Sequence, residues 1–491
     1  MKPVSDEMPI NQSDLDTTLV RARAAQVAWA AKPLRERLRP IAALRARLAR
    51  DPAGLGNVVA KEIGKSRFEA IGSEILPTAD VCAFLMARAQ KILAPRKEKM
   101  KGTMPFAGNA IVRHIPWGVV ALLVPWNYPL FLCAGSVLNA LAAGNAVVMK
   151  PSPRAKDTVG AFAQWLYDAG VPRELAPVLD SSDEMGRALV ASPLIHRIVF
   201  TGSSKTGRSV LAAAAQNLVP ATMELSGYDA VHILPDADIT LAVAAVTFGM
   251  KLNGGRTCVC PRRIFVDRSV DAVFTSALSK KIEKLELLTP MDPQTLREAD
   301  ELAARLLAGG AESLNARKQG DARTLLVFRG GSDALAAAQG NFVPAIVVSP
   351  VENQDAALKL DAASRYALGA SIFTRSLDSA LNLADNLPSG MIAINECVTP
   401  AGEAALPFGG AHESGFGVRS GIEGLLEMTR PQTLGIASGS FRPHHLAGEE
   451  ASDLLLALLR ARHAPNVFAR MKGWLDYGME SVKWLRKIRL K

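Results

Sequence analysis

The chain has 491 residues, 49% hydrophobic and 21% charged, enough to bury a large core and to divide it among more than one domain. Five scattered cysteines (Cys82, Cys133, Cys258, Cys260, Cys397), with no zinc-type spacing to histidine, exclude a disulfide framework and point to a reducing, cytoplasmic setting without a metal site. Most of the +10 net charge sits in the tail, where residues 460–491 carry nine Lys or Arg against two acids, so the body is nearly balanced and no nucleic-acid partner is expected.

The opening MKPVSDEMPINQSDLD lacks the apolar run of a signal peptide, and the apolar stretches look too short or too interrupted to span a bilayer. Residues 14–91 are rich in Ala and Arg with helical periodicity. From Trp117 to Leu225, short apolar runs alternate with helix-period segments. GVVALLVPW, NAVVMKPS, LAPVLD and HRIVFTGS read as strands; FLCAGSVLNALAAG, KDTVGAFAQWLYDAG, EMGRALVA and KTGRSVLAAAAQN read as helices. That alternation implies right-handed crossovers and a parallel sheet. A second series from Ala230 to about Asn395 includes AVHILP, a long helix over ADITLAVAAVTFGMKLNGG, RRIFVD, FVPAIVV, ASIFTR and MIAIN. It predicts a second α/β domain, entered near Ser226. In the tail from Val467, apolar residues recur in steps of three and four with Arg470, Lys472, Lys483, Arg486, Lys487 and Arg489 mostly off the stripe. Trp474, Tyr477 and Trp484 are rings of the kind found at lipid headgroups. Such a helix can lie on an anionic membrane, or it can pack on the protein or a neighbouring subunit.

Several short motifs carry groups capable of chemistry. NGGRTCVC (253–260) sets two cysteines beside a glycine pair and an arginine, although most free cysteines are small buried hydrophobes. VFTGSSKTG places Gly202, Ser203 and Gly207 between a strand and a helix; glycine there lets backbone approach a ligand and the helix start suits phosphate, yet the same residues also turn and cap. Lys150 and Ser152 in VVMKPS stand at a strand's carboxyl end, where open α/β sheets bind ligands. Both features in one crevice favour a nucleotide site. MELSG ends an apolar strand on Glu224, a candidate base whose proton affinity burial would raise; the alternative is an ion pair with Arg262 or Arg263. Asn127, in VPWNYPL, sits on a stiff turn between two prolines and can donate to an oxyanion, or simply turn the chain.

In order and spacing, PWNYPL, VVMKPS, FTGSSKTG, MELSG, GGRTC and LPFGGAHESGFGVRSGIEGLLEMTRPQ resemble the aldehyde dehydrogenase superfamily over roughly Asp14 to Gln432. The resemblance implies an α/β protein: a Rossmann-like dinucleotide-binding domain (14–106 and 118–225), a second α/β catalytic domain (226–408) and a small β oligomerisation element (107–117 and 425–440). Residues 441–491 are left as a basic amphipathic tail. It implies Cys258 as nucleophile, Glu224 as general base, and Asn127 with the Cys258 main-chain N–H as oxyanion hole. Lys150 and Ser152 would face the adenosine ribose of NAD or NADP, Gly202 and Ser203 the pyrophosphate, and Trp126 and Leu225 the same cofactor cleft; Cys260 would be packing. The implied reaction oxidises an aldehyde to a carboxylic acid through a thiohemiacetal and a thioester, with hydrolysis favoured because members that transfer the acyl group to coenzyme A lack this glutamate. At least a dimer is expected, built on strands from NAIVRHIPW and TRPQTLGIA.

Three positions depart from the family pattern. Arg256 replaces the usual glutamine two residues before the nucleophile and is expected to help ionise Cys258. Ser226 replaces a glycine after the Glu-Leu pair. After FVPAIVV the family has a Glu-x-Phe-Gly-Pro segment whose glutamate grips the nicotinamide ribose; this chain passes directly to VENQDAALKL, and Glu352 is not in the context to inherit that role. A loosened nicotinamide costs reaction geometry. A working oxidoreductase, a cysteine-dependent ester or thioester hydrolase, and a non-catalytic scaffold therefore stay open. Where many NAD-preferring members carry a carboxylate three residues after the lysine, this chain has Pro153 followed by Arg154, so NADP is expected to be accepted at least as well as NAD.

Overall fold

A computed structural model describes residues 14–99, 109–436, 445 and 448–489. They form two compact units, Met1–Ile92 with Pro116–Arg430, and Leu93–Ile115 with Pro431–Lys491.

In chain order, β1 (Arg96–Lys99) and β2 (Asn109–Pro116) belong to the smaller unit. The first large sheet is built from β3 (Val119–Val124), β4 (Ala146–Pro151), β5 (Arg197–Thr201) and β6 (Ala221–Glu224), all parallel. The second takes β7 (Asp229–Ile233), β8 (Pro261–Asp267), β9 (Glu312–Ser313), β10 (Leu326–Arg329) and β11 (Ala345–Val351). Next come β12 (Tyr366–Ala367), which pairs with β15 (Ala411–His412), and β13 (Gly369–Phe373) and β14 (Met391–Ile394), which join the second sheet. Finally β16 (Gly415–Phe416) adds antiparallel to β6, and β17 (Thr429–Ile436) pairs with β2. The five-stranded order is β16-β6-β5-β3-β4 and the seven-stranded order is β14-β13-β7-β8-β11-β10-β9.

The inner strands are continuous apolar runs because helices cover both faces of a parallel sheet. Every residue of β4, β7 and β13 is buried. LAPVLD, expected as a strand, contributes only the isolated bridge between Val178 and Met149, since Pro177 has no N–H to donate. The helical run Arg67–Ile92 is long and apolar enough to cross a membrane, but Val81, Cys82, Leu85 and Ala89 on it are buried core. Between β11 and the helix Gln354–Ala362 only Glu352 and Asn353 intervene, and Glu352 pairs at the surface with Arg268 at 2.5 Å. The Glu-x-Phe-Gly-Pro segment has no counterpart there.

In the smaller unit, β1 is not among the expected strands, and Arg113 Nε donates to Gln432 Oε1 at 2.7 Å across β2 and β17. The helix expected from Val467 is Val467–Arg489, and a further helix, Ser452–His463, precedes it. Tyr477 and Trp484, expected at a lipid surface, are buried with Leu454, Ala457 and Leu458 in the seam between them. Gly473 permits that approach, because a Cβ there would lie 2.3 Å from the Ala461 nitrogen.

Candidate active site

The loop NGGRTC explains its glycines geometrically. Asn253, Gly254 and Gly255 take φ of 49°, 60° and 74°, a left-handed turn that asparagine tolerates and glycine favours. A Cβ on Gly254 would come within 2.3 Å of the Thr289 carbonyl oxygen, and one on Gly255 within 2.6 Å of Pro344. The turn delivers Cys258 half-buried, while Cys260 is fully buried beside Met250. Cys260 is thus the packing cysteine of the pair.

Glu224 closes β6 in register with Thr201 and Gly415 and is 3% exposed. Its Oε2 accepts from Arg419 Nε at 3.0 Å, whereas buried Oε1 has no hydrogen-bond partner among the described residues. The partner is Arg419, not Arg262 or Arg263. Arg262 donates to the Gly255 carbonyl and Arg263 to Tyr228 O and Asp361. Burial raises the Glu224 pKa, and Arg419 opposes that rise. Burial also pushes the Cys258 thiol up to about 12, with Asp229 and Glu224 adding to the rise and Arg419 working against it. The Glu224 carboxylate and the Cys258 thiol are thus electrostatically coupled.

Arg256, expected to help ionise the thiol, is not among the groups that act most on it. Its guanidinium is spent elsewhere: Nη1 on Asp292 at 3.1 Å, Nε on the Asn253 carbonyl at 2.9 Å and Nη2 on Asn253 Oδ1 at 3.2 Å. Asp292 also binds Arg154 at 2.8 Å, and Arg154 stacks on Trp126 at 3.5 Å.

Asn127 is buried and donates from Nδ2 to the Arg256 carbonyl at 3.1 Å; an amide carries two N–H donors, so one is left for a ligand. The turn is tied to the nucleophile loop by Asn253 Nδ2 on Asn127 O at 2.8 Å and by Tyr128 OH with Thr257 Oγ1 at 2.5 Å. Beneath it lies a buried pair from the N-terminal helices, where no chemistry was expected. Lys65 Nζ meets Glu74 Oε1 at 2.5 Å, and Glu74 Oε2 accepts the Leu130 and Phe131 N–H groups that open the helix Pro129–Ala143. Glu69 Oε1 accepts from Asn253 N at 2.8 Å and Oε2 from Thr289 Oγ1 at 2.8 Å. Two carboxylates of one helical run thus hold both loops of the site.

On the other side of the first sheet's carboxyl edge, Lys150 is 7% exposed with its stem against Gly186; burial lowers its pKa, and Asp183, Asp180 and Glu184 oppose the fall. Ser152 is half-buried and accepts from Arg154 N at 3.3 Å. Ser203 caps the helix Ser204–Gln216 through Thr206 N at 3.2 Å. The Gly202 N–H is already bonded to the Glu224 carbonyl at 3.0 Å, so this glycine contributes space: a Cβ would meet the Phe200 ring at 2.5 Å. Leu225 is buried against Gly207, near the start of that helix.

The sequence and the fold have counterparts among known proteins. The model of the aldehyde dehydrogenase family matches residues 3–434. The chain belongs to the aldehyde dehydrogenase family. Its activity is accordingly NAD(P)-dependent aldehyde oxidation. It is 32% identical over 445 residues to a 4,4'-diapolycopene aldehyde oxidase of a Methylomonas species, covering 87% of this chain and 82% of that one. Among solved structures it resembles the NADP-dependent glyceraldehyde-3-phosphate dehydrogenase of Bacillus halodurans C-125 complexed with NADP, at TM-score 0.82 and 28% identity over 88% of this chain and 92% of that chain. A Mycobacterium tuberculosis aldehyde dehydrogenase complexed with NAD+ matches at TM-score 0.82 and 26% identity, with the same coverage of 88% and 92%.

For an aldehyde dehydrogenase cofactor the adenosine and pyrophosphate side fits: a buried ammonium, a hydroxyl, a helix start and a cradle that a Cβ would fill converge at one sheet edge. The residues that the motif reading missed are the supporting ones, Lys65, Glu69, Glu74, Asp229 and Arg419.

Proposed function

We propose that Cys258, Glu224 and Asn127 carry out the aldehyde oxidation, the first sheet with its helices holding the dinucleotide and the second sheet supplying the nucleophile loop. What supports the reading is a half-buried thiol on a loop that hydrogen bonds tie to the turn presenting the Asn127 amide, together with a buried carboxylate, Glu224, one of whose oxygens has no partner among the described residues. The Cys258 thiol gives up its proton to solvent and the sulfur adds to the aldehyde carbon. The resulting oxyanion accepts hydrogen bonds from the Asn127 amide and the Cys258 main-chain N–H. When bound, NAD(P) would supply the hydride acceptor at its nicotinamide. Glu224 then takes a proton from water, which adds to the thioester; the Cys258 sulfur leaves and the carboxylic acid departs. Lys150 and Ser152 hold the adenosine ribose, Ser203 and Gly202 admit the pyrophosphate, and Trp126 and Leu225 line the cleft. With Pro153 and Arg154 where a repelling carboxylate would stand, NADP binds at least as well as NAD.

The substrate class we favour is an apolar aldehyde. The Methylomonas relative is named for a 4,4'-diapolycopene aldehyde, and the tail of this chain presents exposed apolar residues beside basic ones, which supports peripheral contact of an otherwise cytoplasmic enzyme with a membrane. An oligomer of at least two subunits is proposed through β2 and β17, a sheet whose outer strand β17 is mostly exposed.

The test is single-turnover formation of reduced cofactor with a panel of aldehydes, after NAD and NADP binding has been measured by fluorescence titration. Cys258→Ala should give no burst and Cys260→Ala should keep most activity. Glu224→Gln should give the burst and then stall. A Cys258→Ala protein as active as wild type removes the reading, and binding without any burst in wild type points to the scaffold instead.

A further inference from the structure

The base in this reading shares its pocket with a buried cation. Arg419 is 4% exposed, lies between the Phe131 and Phe408 rings with its guanidinium carbon 4.8 Å from each centroid, and donates from Nε to Glu224 Oε2 at 3.0 Å. Its backbone is fixed on both sides: the N–H donates to Phe408 O at 2.9 Å and the carbonyl accepts from Asn139 Nδ2 at 3.0 Å. Nη1 reaches Ser420 Oγ at 3.4 Å.

We propose that Arg419 is the positioning residue for the general base: it fixes Glu224 as a carboxylate through Oε2 alone and leaves Oε1 to take the proton of the hydrolytic water. The proposal rests on the assignment of Glu224 given above. A carboxyl group this deeply buried favours its neutral form, which cannot act as a base, unless a cation is held against it. A guanidinium is suited to that task because it does not give up its proton. The contact through a single oxygen also matters. A two-pronged grip would occupy both oxygens and leave neither free for water. The charged group acting on Glu224 is Arg419, from the turn before the helix Gly421–Glu427, and the Cys258 thiol is acted on by Glu224, Asp229 of β7 and Arg419 together. Arg419 opposes the negative charge of both carboxylate and thiolate, so it links the two half-reactions.

The experiment forms an acyl-enzyme on the full-length protein from a nitrophenyl ester and follows its breakdown against pH. In wild type, breakdown falls as pH drops through the raised Glu224 pKa. Arg419→Gln, which keeps a hydrogen-bond donor and removes the charge, should move that acid limb upward by about one pH unit or more, slowing breakdown below it about tenfold per unit. Arg419→Lys should return the limb toward wild type. A limb unmoved in Arg419→Gln overturns the proposal, as does a lysine variant no better than glutamine. If the glutamine variant does not fold, the infrared carboxyl band of Glu224 in wild type, identified by its loss in Glu224→Gln, decides: a carboxyl still protonated at pH 8 overturns the role. The two levels fail separately. Loss of the single-turnover burst in Glu224→Gln removes the base assignment itself, whereas a retained burst with an unmoved Arg419→Gln profile removes Arg419 alone.

Discussion

Cys258 rests as a neutral thiol. Burial and two nearby carboxyl groups push its pKa up to about 12, so the thiolate is a minor species at neutral pH and acylation should quicken as pH rises. The sign follows from the group: a raised thiol pKa means the nucleophilic form is gained only on the alkaline side. Arg256 sits two residues away in sequence yet takes no part, since its donors are committed to Asp292 and Asn253. Arg256→Gln is therefore expected to leave the pH dependence of Cys258 alkylation by iodoacetamide where it is in wild type, while Arg419→Gln shifts it to higher pH. An Arg256→Gln profile displaced alkaline by a unit would restore the cation to the role the sequence first implied. That expectation failed for a physical reason. Proximity along the chain says nothing about which acceptor a guanidinium finds, and Asp292 comes from a distant helix start.

At the scale of elements, the support for the site comes from a helical run with a π turn in it. Glu69 and Glu74 are five residues apart, about 140° around an α-helix, so a helical wheel puts them on different faces. The π turn Ile71–Ile75, with Leu76 N bonded to Ile71 O, takes up that offset and lets both carboxylates reach the segments that follow Asn127 and precede Cys258. Glu74→Ala would strand the Lys65 ammonium without a partner and uncap the helix that follows Asn127. Breaking one half of a buried pair costs about 3–5 kcal/mol. A clear drop in the unfolding midpoint with a loss of kcat is expected, and an unchanged midpoint would show that the pair does not carry the loop. The same contrast explains what the sequence revealed. Strands β3 to β8 and the residues Cys258, Glu224, Asn127 and Lys150 stand in local motifs whose type and spacing reflect their chemistry. Glu74 and Lys65 are single charges within otherwise ordinary stretches, and Arg419 stands inside the motif LPFGGAHESGFGVRSGIEGLLEMTRPQ, where nothing local says which carboxylate it meets; their meaning lies in contacts between segments 57 and 195 residues apart. Likewise β9, β12 and β15 are two residues long, too short to leave a periodic signal.

On the scale of the whole molecule, the tail stands apart, since it lies beyond the family match, which ends at residue 434. Its helices satisfy each other through Leu454, Ala457, Leu458, Tyr477 and Trp484. The opposite faces remain apolar: on Val467–Arg489, Phe468 is 84% exposed and Leu475 69%, with Met471 and Met479 on the same side, and Leu455, Leu456 and Leu459 stand out from Ser452–His463. A packed hairpin that still shows this much apolar surface calls for a cover, because water is a poor neighbour for a continuous patch and each large side chain buried gains about 1.5–3 kcal/mol. Two covers are available in principle, another subunit and a lipid surface. The nearby cations, including Arg470, Lys472, Arg486 and Lys487, favour the lipid, since basic side chains gain from anionic headgroups and would repel their copies across a symmetric interface. The enzyme should therefore float with vesicles containing anionic phosphatidylserine and stay behind with neutral phosphatidylcholine vesicles. Phe468→Asp with Leu475→Asp should abolish flotation of the full-length chain while leaving aldehyde oxidation in solution unchanged, and salt should weaken binding of the wild type. Sedimentation of both proteins distinguishes the covers: if the paired substitution converts an oligomer to monomers and neither protein floats, the hairpin is a subunit contact and the membrane reading is withdrawn.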